Sequence, residues 1–72
     1  MDSKGKRMVG ERVRELRVER GVSLRQFASL NSFNPNVLSR IERGDHNITF
    51  ETLLRLSRAL GTTPSELLRN IS

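Results

Sequence analysis

Charged side chains carry most of the chemistry available to this chain of 72 residues, and cations dominate among them. Thirteen Lys and Arg stand against eight Asp and Glu, which gives a formal net charge of +5. Eight of the thirteen cations lie at or before Arg25, so the charge is spread unevenly along the chain. On a domain this small, such a field attracts polyanions. Charge alone also fits a solvated basic surface, so the interpretation depends on the elements that position these side chains.

Residues suited to catalysis or metal binding are scarce. The chain has no cysteine and a single histidine, His46, so disulfides, thiolate ligands and a protein-only zinc site are not expected. We do not interpret Glu42 and Asp45 as a catalytic carboxylate pair, and the sequence offers no nucleophile–base pair and no phosphate-binding glycine loop. We therefore expect a protein that is not an enzyme and has no cofactor.

The elements that must position the charged residues are predicted to be helices. Val9, Val13 and Leu16 follow the spacing of one helical face across residues 8–20, and Gly21 supplies a left-handed stop. No segment alternates apolar and polar residues over a strand length, so no strands are expected. Together with four later start signals, this pattern predicts an all-α protein with five helices.

The four later helices are predicted from polar caps, two of which are followed by proline at the first helical position. The caps are Ser23 with Gln26 as a capping box, Asn34 with Pro35, Thr49, and Thr63 with Pro64 and Glu66 as a second capping box. The second helix is expected to end near Asn31 or Ser32, and Gly44 and Gly61 are expected to end the third and fourth.

The chain is predicted to be a single domain over residues 7–72, preceded by a flexible basic arm over residues 1–6. Its three aromatic residues, Phe27, Phe33 and Phe50, are predicted to lie in the core. No apolar stretch approaches the ~20 residues that span a bilayer, and no apolar signal segment follows the charged N-terminus. We therefore expect no membrane association and a cytoplasmic location.

The second and third helices have the arrangement of a helix-turn-helix. A helix end, a turn of about four residues and a new helix start lie between Ala28 and Leu38, and small Ala28 suits a close helix crossing. Leu38 and Ile41 are three residues apart and should hold the third helix on the core. The residues that this spacing leaves facing outward are Asn36, Val37, Ser39, Arg40 and Arg43.

Eight short stretches lie at characteristic spacings along the chain. They are Arg14–Arg17, Gly21–Ser23, Phe27-Ala28, Ser39–Gly44, Asn47–Thr49, Leu53-Leu54, Ala59–Gly61 and Glu66–Leu68. Through them the chain from Val9 to Leu68 resembles the Cro/C1-type (XRE family) helix-turn-helix regulators. Its length and its Asn-Ile-Thr segment look like the controller proteins of restriction–modification systems. The resemblance implies a compact, five-helix, lambda-repressor-like DNA-binding domain from a bacterium or phage, associated with the nucleoid when bound.

The resemblance also implies a role for individual residues, with the third helix (about residues 35–43) in the major groove of double-stranded DNA. The positions implied to read bases are Asn36, Val37, Ser39 and Arg40. The positions implied to lie near phosphates are Ser23, Arg25, Gln26, Arg43, His46 and Asn47. Arg17 and Glu42 match a salt-bridged pair that joins the first helix to the end of the third, and we interpret this pair as structural.

Three positions depart from the family pattern. Leu24 stands where the family usually has glutamine, so one expected polar contact is missing. Ser32 replaces the turn glycine and follows Asn31, which tolerates left-handed geometry and so should preserve the turn. Pro35 occupies a frequent base-contacting position, so base readout should depend mainly on Asn36 and Arg40.

One such module reads too few base pairs for specificity, so the resemblance implies a homodimer on a pseudo-palindromic operator. Leu54, Leu67, Leu68 and Ile71 are the candidate interface, although they could instead close the monomer core. Two other functions stay open. One is an antitoxin-type protein that also binds a partner toxin. The other is a protein-interaction module with only non-specific DNA binding.

Overall fold

The computed structural model describes residues 3–70 and contains five helices, most of which begin and end near the predicted cap and glycine residues. The helices are α1 (Ser3–Glu19), α2 (Leu24–Leu30), α3 (Pro35–Glu42), α4 (Phe50–Leu60) and α5 (Pro64–Leu67). No strand occurs in residues 3–70. The prediction of an all-α, five-helix fold is therefore confirmed. None of these helices is long and apolar enough to cross a membrane.

Side-chain caps fix where the middle helices begin. Ser23 Oγ accepts a hydrogen bond from the Gln26 amide at 3.1 Å, and Gln26 Oε1 accepts one from the Ser23 amide at 2.9 Å, which completes the predicted capping box. Asn34 Oδ1 accepts from the Asn36 amide at 2.8 Å. Such caps satisfy amides that have no partner within the helix, so α2 and α3 start at defined residues.

The prediction of a second capping box at α5 is only half right. Thr63 Oγ1 accepts from the Glu66 amide at 3.2 Å. The Glu66 carboxylate, however, accepts from Arg69 Nη1 at 3.1 Å instead of turning back to the Thr63 amide. The local ion pair competes for the same carboxylate, and α5 ends at Leu67.

The prediction of a flexible arm over residues 1–6 is wrong for the described part of that segment, because α1 begins at Ser3. Gly5 is buried, and Lys6 Nζ donates to Asn47 Oδ1 at 3.2 Å. The next residue, Arg7, runs so close to Gly44 that a Cβ added to Gly44 would lie 2.7 Å from Arg7 Cα. These contacts with the loop after α3 hold the first turn of α1 in place. Met1 and Asp2 lie outside the described residues.

The core forms where α1, α3, α4 and α5 pack together, with α2 packed on α3. Its buried apolar residues are Val9, Val13, Phe27, Ala28, Phe33, Leu38, Ile41, Leu53, Leu56, Leu60 and Leu67. Phe27 and Phe33 stack with ring centroids 6.1 Å apart, as expected of core aromatics. The prediction for Phe50 is wrong, since this side chain is 70% exposed. Phe50 is the first residue of α4, and most of its surface is accessible to solvent.

Gly10 sets the distance between α1 and α3. A Cβ at this position would lie 2.8 Å from the Glu42 carbonyl oxygen, so the backbones of the two helices touch. An isolated glycine inside a helical pattern costs about 1 kcal/mol relative to alanine and often marks such close packing. Gly10 was not among the predicted positions, although its place inside a helical pattern carries this signal in the sequence.

Candidate nucleic-acid interface

The turn between α2 and α3 is closed by backbone hydrogen bonds. The Phe33 amide donates to the Ala28 carbonyl at 2.9 Å, while Ala28 is fully buried beneath the crossing. Ser32 adopts a left-handed conformation with φ of 58°, whereas Asn31 has φ of −118°. The expectation that Asn31 would take the left-handed geometry is therefore wrong. Asn31 instead caps α2, because its side-chain amide donates to the Phe27 carbonyl at 3.0 Å.

The exposed residue Arg55 of α4 stabilises this turn through hydrogen bonds to its backbone. Its Nη2 donates to the Ser32 carbonyl at 2.9 Å and to the Asn31 carbonyl at 3.3 Å. Its guanidinium also lies 4.3 Å from the centroid of the Phe33 ring, within cation–π range. Arg55 was not among the predicted site residues, since an exposed arginine on α4 gives no sequence signal of where its side chain points.

Arg17 and Glu42 form the expected ion pair. Arg17 Nε donates to Glu42 Oε2 at 2.7 Å and Arg17 Nη2 donates to Oε1 at 3.0 Å, which is a bidentate arrangement. Arg17 Nη1 also donates to the Val22 carbonyl at 2.8 Å. The hydrogen bond to Glu42 raises the pKa of Arg17, so the cation is retained although only 9% of the residue is exposed. One guanidinium thus joins α1, the residues before α2 and the end of α3.

The outward side of α3 carries free polar side chains. Leu38 and Ile41 are buried, while Asn36 and Arg40 are exposed and Ser39 is half-buried. Within residues 3–70, no hydrogen bond or ion pair uses the side chains of these three polar residues. Val37, the fourth residue assigned to base readout, is half-buried against the core. The free face of α3 is therefore smaller than the sequence analysis assumed.

The residues assigned to phosphate contacts differ in how free they are. Arg25 and Arg43 are exposed, and His46 is half-buried. The oxygens of Ser23 and Gln26 are engaged in the capping box, which leaves the serine hydroxyl hydrogen and the glutamine amide group to donate.

Asn47 is also partly engaged, because its Oδ1 accepts from Lys6. Its amide NH₂ group remains available as a donor. Lys6 was not among the predicted site residues, because a residue assigned to a flexible arm was not expected to hold a fixed position.

The four residues assigned to a dimer interface do not share one environment. Leu67 is 1% exposed and belongs to the monomer core, so its assignment to a partner surface is wrong. Leu54 and Leu68 are half-buried, and Leu68 packs against the core. Ile71 lies outside the described residues. Helix α5 packs against α1 and α4, and this packing buries Leu67.

Residues 9–69 match the sequence profile of the helix-turn-helix domain family, and the chain belongs to this family. The match covers all five helices apart from the first turns of α1. The chain is thus a member of a family of DNA-binding transcriptional regulators, and the assignment to the Cro/C1 type is confirmed.

Two curated relatives and one solved structure illustrate the relationship. The HTH-type transcriptional regulator DdrOP3 of Deinococcus deserti is 41% identical over 61 residues, which are 85% of this chain but only 47% of that protein. The control protein C.SmaI of Serratia marcescens is 32% identical over 63 residues, covering 88% of this chain and 75% of the relative. The crystal structure of the restriction-modification controller protein C.AhdI from Aeromonas hydrophila matches with a TM-score of 0.79 and 34% identity, covering 86% and 94% of the two chains.

Proposed function

We propose that this protein regulates transcription by binding a pseudo-palindromic operator as a homodimer, with α3 of each protomer in the major groove. The observation that carries the proposal is the free polar face of α3. Asn36, Ser39 and Arg40 lie on one side of this helix. The other side is held in place by the buried residues Leu38 and Ile41 and by the Arg17–Glu42 ion pair. Side chains held this way on a rigid element suit sequence readout.

Asn36 and Arg40 supply the chemistry of base recognition. An asparagine amide pairs with N6 and N7 of adenine, and a guanidinium pairs with O6 and N7 of guanine. Ser39 adds a hydroxyl that both donates and accepts, and the exposed part of Val37 suits the methyl group of thymine. Each well-formed bidentate pair contributes about 1–3 kcal/mol of discrimination against a wrong base.

Phosphate contacts on both sides of α3 would set the register of the protein on DNA. The residues that we assign to them are Ser23, Arg25, Gln26, Arg43, His46 and Asn47. The amide group of Gln26 and the guanidinium groups of Arg25 and Arg43 are exposed donors in the structure, which supports this assignment. Arg43 follows directly after α3 and lies next to Glu42 of the buried pair.

The dimer interface that we propose is centred on α4 instead of α5. Phe50 is exposed and lies one helical turn before half-buried Leu54, so the two residues share a face of α4. We keep half-buried Leu68 as a further candidate residue of the interface. Two-fold pairing through such a patch would present two α3 helices to half-sites about 34 Å apart.

Selection from a random duplex library, followed by affinity measurements against salt, tests the proposal. We expect a pseudo-palindrome that binds at least ~10³-fold more tightly than random DNA. Failure to enrich any motif, with binding that is only steeply salt-dependent, would contradict sequence readout. It would favour a module that binds phosphates without reading bases.

A further inference from the structure

A second cationic feature lies at the start of α1, outside the helix-turn-helix unit. Lys6 and Ser3 line a polar cleft together with residues of the loop that follows α3 and with Arg40. The loop residues in the cleft are Gly44, Asp45, His46 and Asn47. The cleft therefore joins the first turn of the chain to a residue that we assign to base readout.

One hydrogen bond of Lys6 and one close approach of the Arg7 backbone hold this turn of α1 against the loop. The Lys6 ammonium donates to Asn47 Oδ1 at 3.2 Å, across 41 positions of sequence. Arg7 approaches Gly44 so closely that a Cβ on Gly44 would lie 2.9 Å from the Arg7 backbone nitrogen. Because an ammonium has three donors and the asparagine oxygen takes one, two donors remain for an anion.

The charges of the cleft favour an anion. Among the described residues that line it, Lys6 and Arg40 each contribute a positive charge, Asp45 contributes one negative charge, and His46 adds an imidazole. The Asn47 amide group is a further neutral donor, since its oxygen is the atom bonded to Lys6. Donors from α1, α3 and the connecting loop thus converge beside the outward face of α3.

We propose that Lys6 and Asn47 together hold one phosphate of the DNA backbone, next to the base pair contacted by Arg40. This inference rests on the proposed DNA-binding function and extends the contact surface to the first turn of α1. The Lys6–Asn47 bond places the ammonium in advance, so ordering this long side chain costs less on binding. A phosphate contact of this kind adds affinity on every sequence.

The test compares Lys6→Gln with Lys4→Gln, because both remove one charge from the same turn but only Lys6 lines the cleft. Binding to a random-sequence duplex is measured against salt concentration, together with a thermal melt of each variant. For Lys6→Gln we expect the slope of log affinity against log salt to become shallower by about 0.9, the value for one phosphate. For Lys4→Gln we expect a slope close to that of the original protein.

Asn47→Ala provides a second variant that keeps the charge. If the two residues act as one site, the double variant Lys6→Gln/Asn47→Ala should bind only as weakly as Lys6→Gln alone. Equal slopes for Lys6→Gln and Lys4→Gln would overturn the proposal, as would an unchanged slope combined with binding of inorganic phosphate in the cleft. Random DNA is used because its binding does not need sequence readout, so failure of the operator selection would leave this test intact.

Discussion

Arg40 has no hydrogen bond or ion pair within residues 3–70, so its removal should leave the fold intact. We predict that Arg40→Ala loses discrimination at one base-pair position, by about 1–3 kcal/mol. The measurement is a set of dissociation constants for the selected operator and for operators changed at one position. Arg43→Ala is the matched control and should weaken binding to all sequences alike. An equal loss on operator and random DNA for Arg40→Ala would instead make Arg40 a phosphate contact.

Ser32 is strained, because it is a non-glycine residue with φ of 58°. The left-handed conformation costs an L-residue about 1–2 kcal/mol, and glycine avoids this cost. Glycine loses more backbone entropy on folding, however, so the gain in stability from the substitution is smaller than that. We predict that Ser32→Gly raises the free energy of unfolding by roughly 0.5–1 kcal/mol in urea denaturation. Ser29→Gly, in the last turn of α2, should lower the same quantity by about 0.5 kcal/mol, because serine is already a weaker helix former than alanine. A Ser32→Gly variant no more stable than the original would show that the turn carries no strain.

Among the elements, α1 and α3 depend on each other through Gly10. Alanine favours helix by about 1 kcal/mol over glycine, but its Cβ would lie 2.8 Å from the Glu42 carbonyl. The helices would have to separate, and overpacking of this kind costs about 1–3 kcal/mol. We therefore predict that Gly10→Ala lowers the free energy of unfolding and also weakens DNA binding, since α3 shifts relative to the rest of the surface.

The free energy of unfolding and the operator affinity are measured for Gly10→Ala, with Glu11→Ala as the control. Glu11 is the exposed neighbour on α1, so its substitution should change stability by no more than about 0.5 kcal/mol. A Gly10→Ala protein as stable as Glu11→Ala would mean that the two helices tolerate a wider spacing than the structure indicates.

The starts of α2, α3 and α4 were predictable from the sequence because they depend on local chemistry, whereas the start of α1 at Ser3 was not. Ser23, Asn34 and Thr49 cap their own turns, and each helix began at the residue after its cap. The contacts that long side chains make with residues distant in the sequence were not predictable in this way. Arg55 contacts the turn between α2 and α3, and Lys6 contacts Asn47. Both contacts join residues that are far apart in the sequence and are brought together only by tertiary packing.

The errors in the predicted core and interface have the same origin. Phe50 and Leu67 are both apolar residues at helical spacing, yet one is exposed and the other buried. Periodicity identifies a face of a helix but not the neighbour that covers it. The exposure of Asn36 and Arg40 agrees with the sequence, because buried Leu38 and Ile41 fix the rotation of the short helix α3.

At the scale of the whole molecule, self-association should depend on Phe50. This side chain is 70% exposed, so Phe50→Ser should leave the monomer as stable as before while weakening the dimer. Sedimentation equilibrium over a range of protein concentrations measures the effect. Leu30→Ser is the control, because Leu30 is 76% exposed on α2 and should not alter association. The same association constant for the original protein and both variants would exclude α4 as the interface.

The exposed side chains of Asn36 and Arg40 on α3 make no hydrogen bond or ion pair within residues 3–70. Substitutions at such exposed helix positions usually change stability by less than about 0.5 kcal/mol. A lineage of this protein could therefore exchange Asn36 or Arg40 and acquire a new recognition sequence without first having to gain stability elsewhere. The Arg17–Glu42 pair and Gly10 have no such freedom, so divergence among descendants should concentrate on one face of one helix.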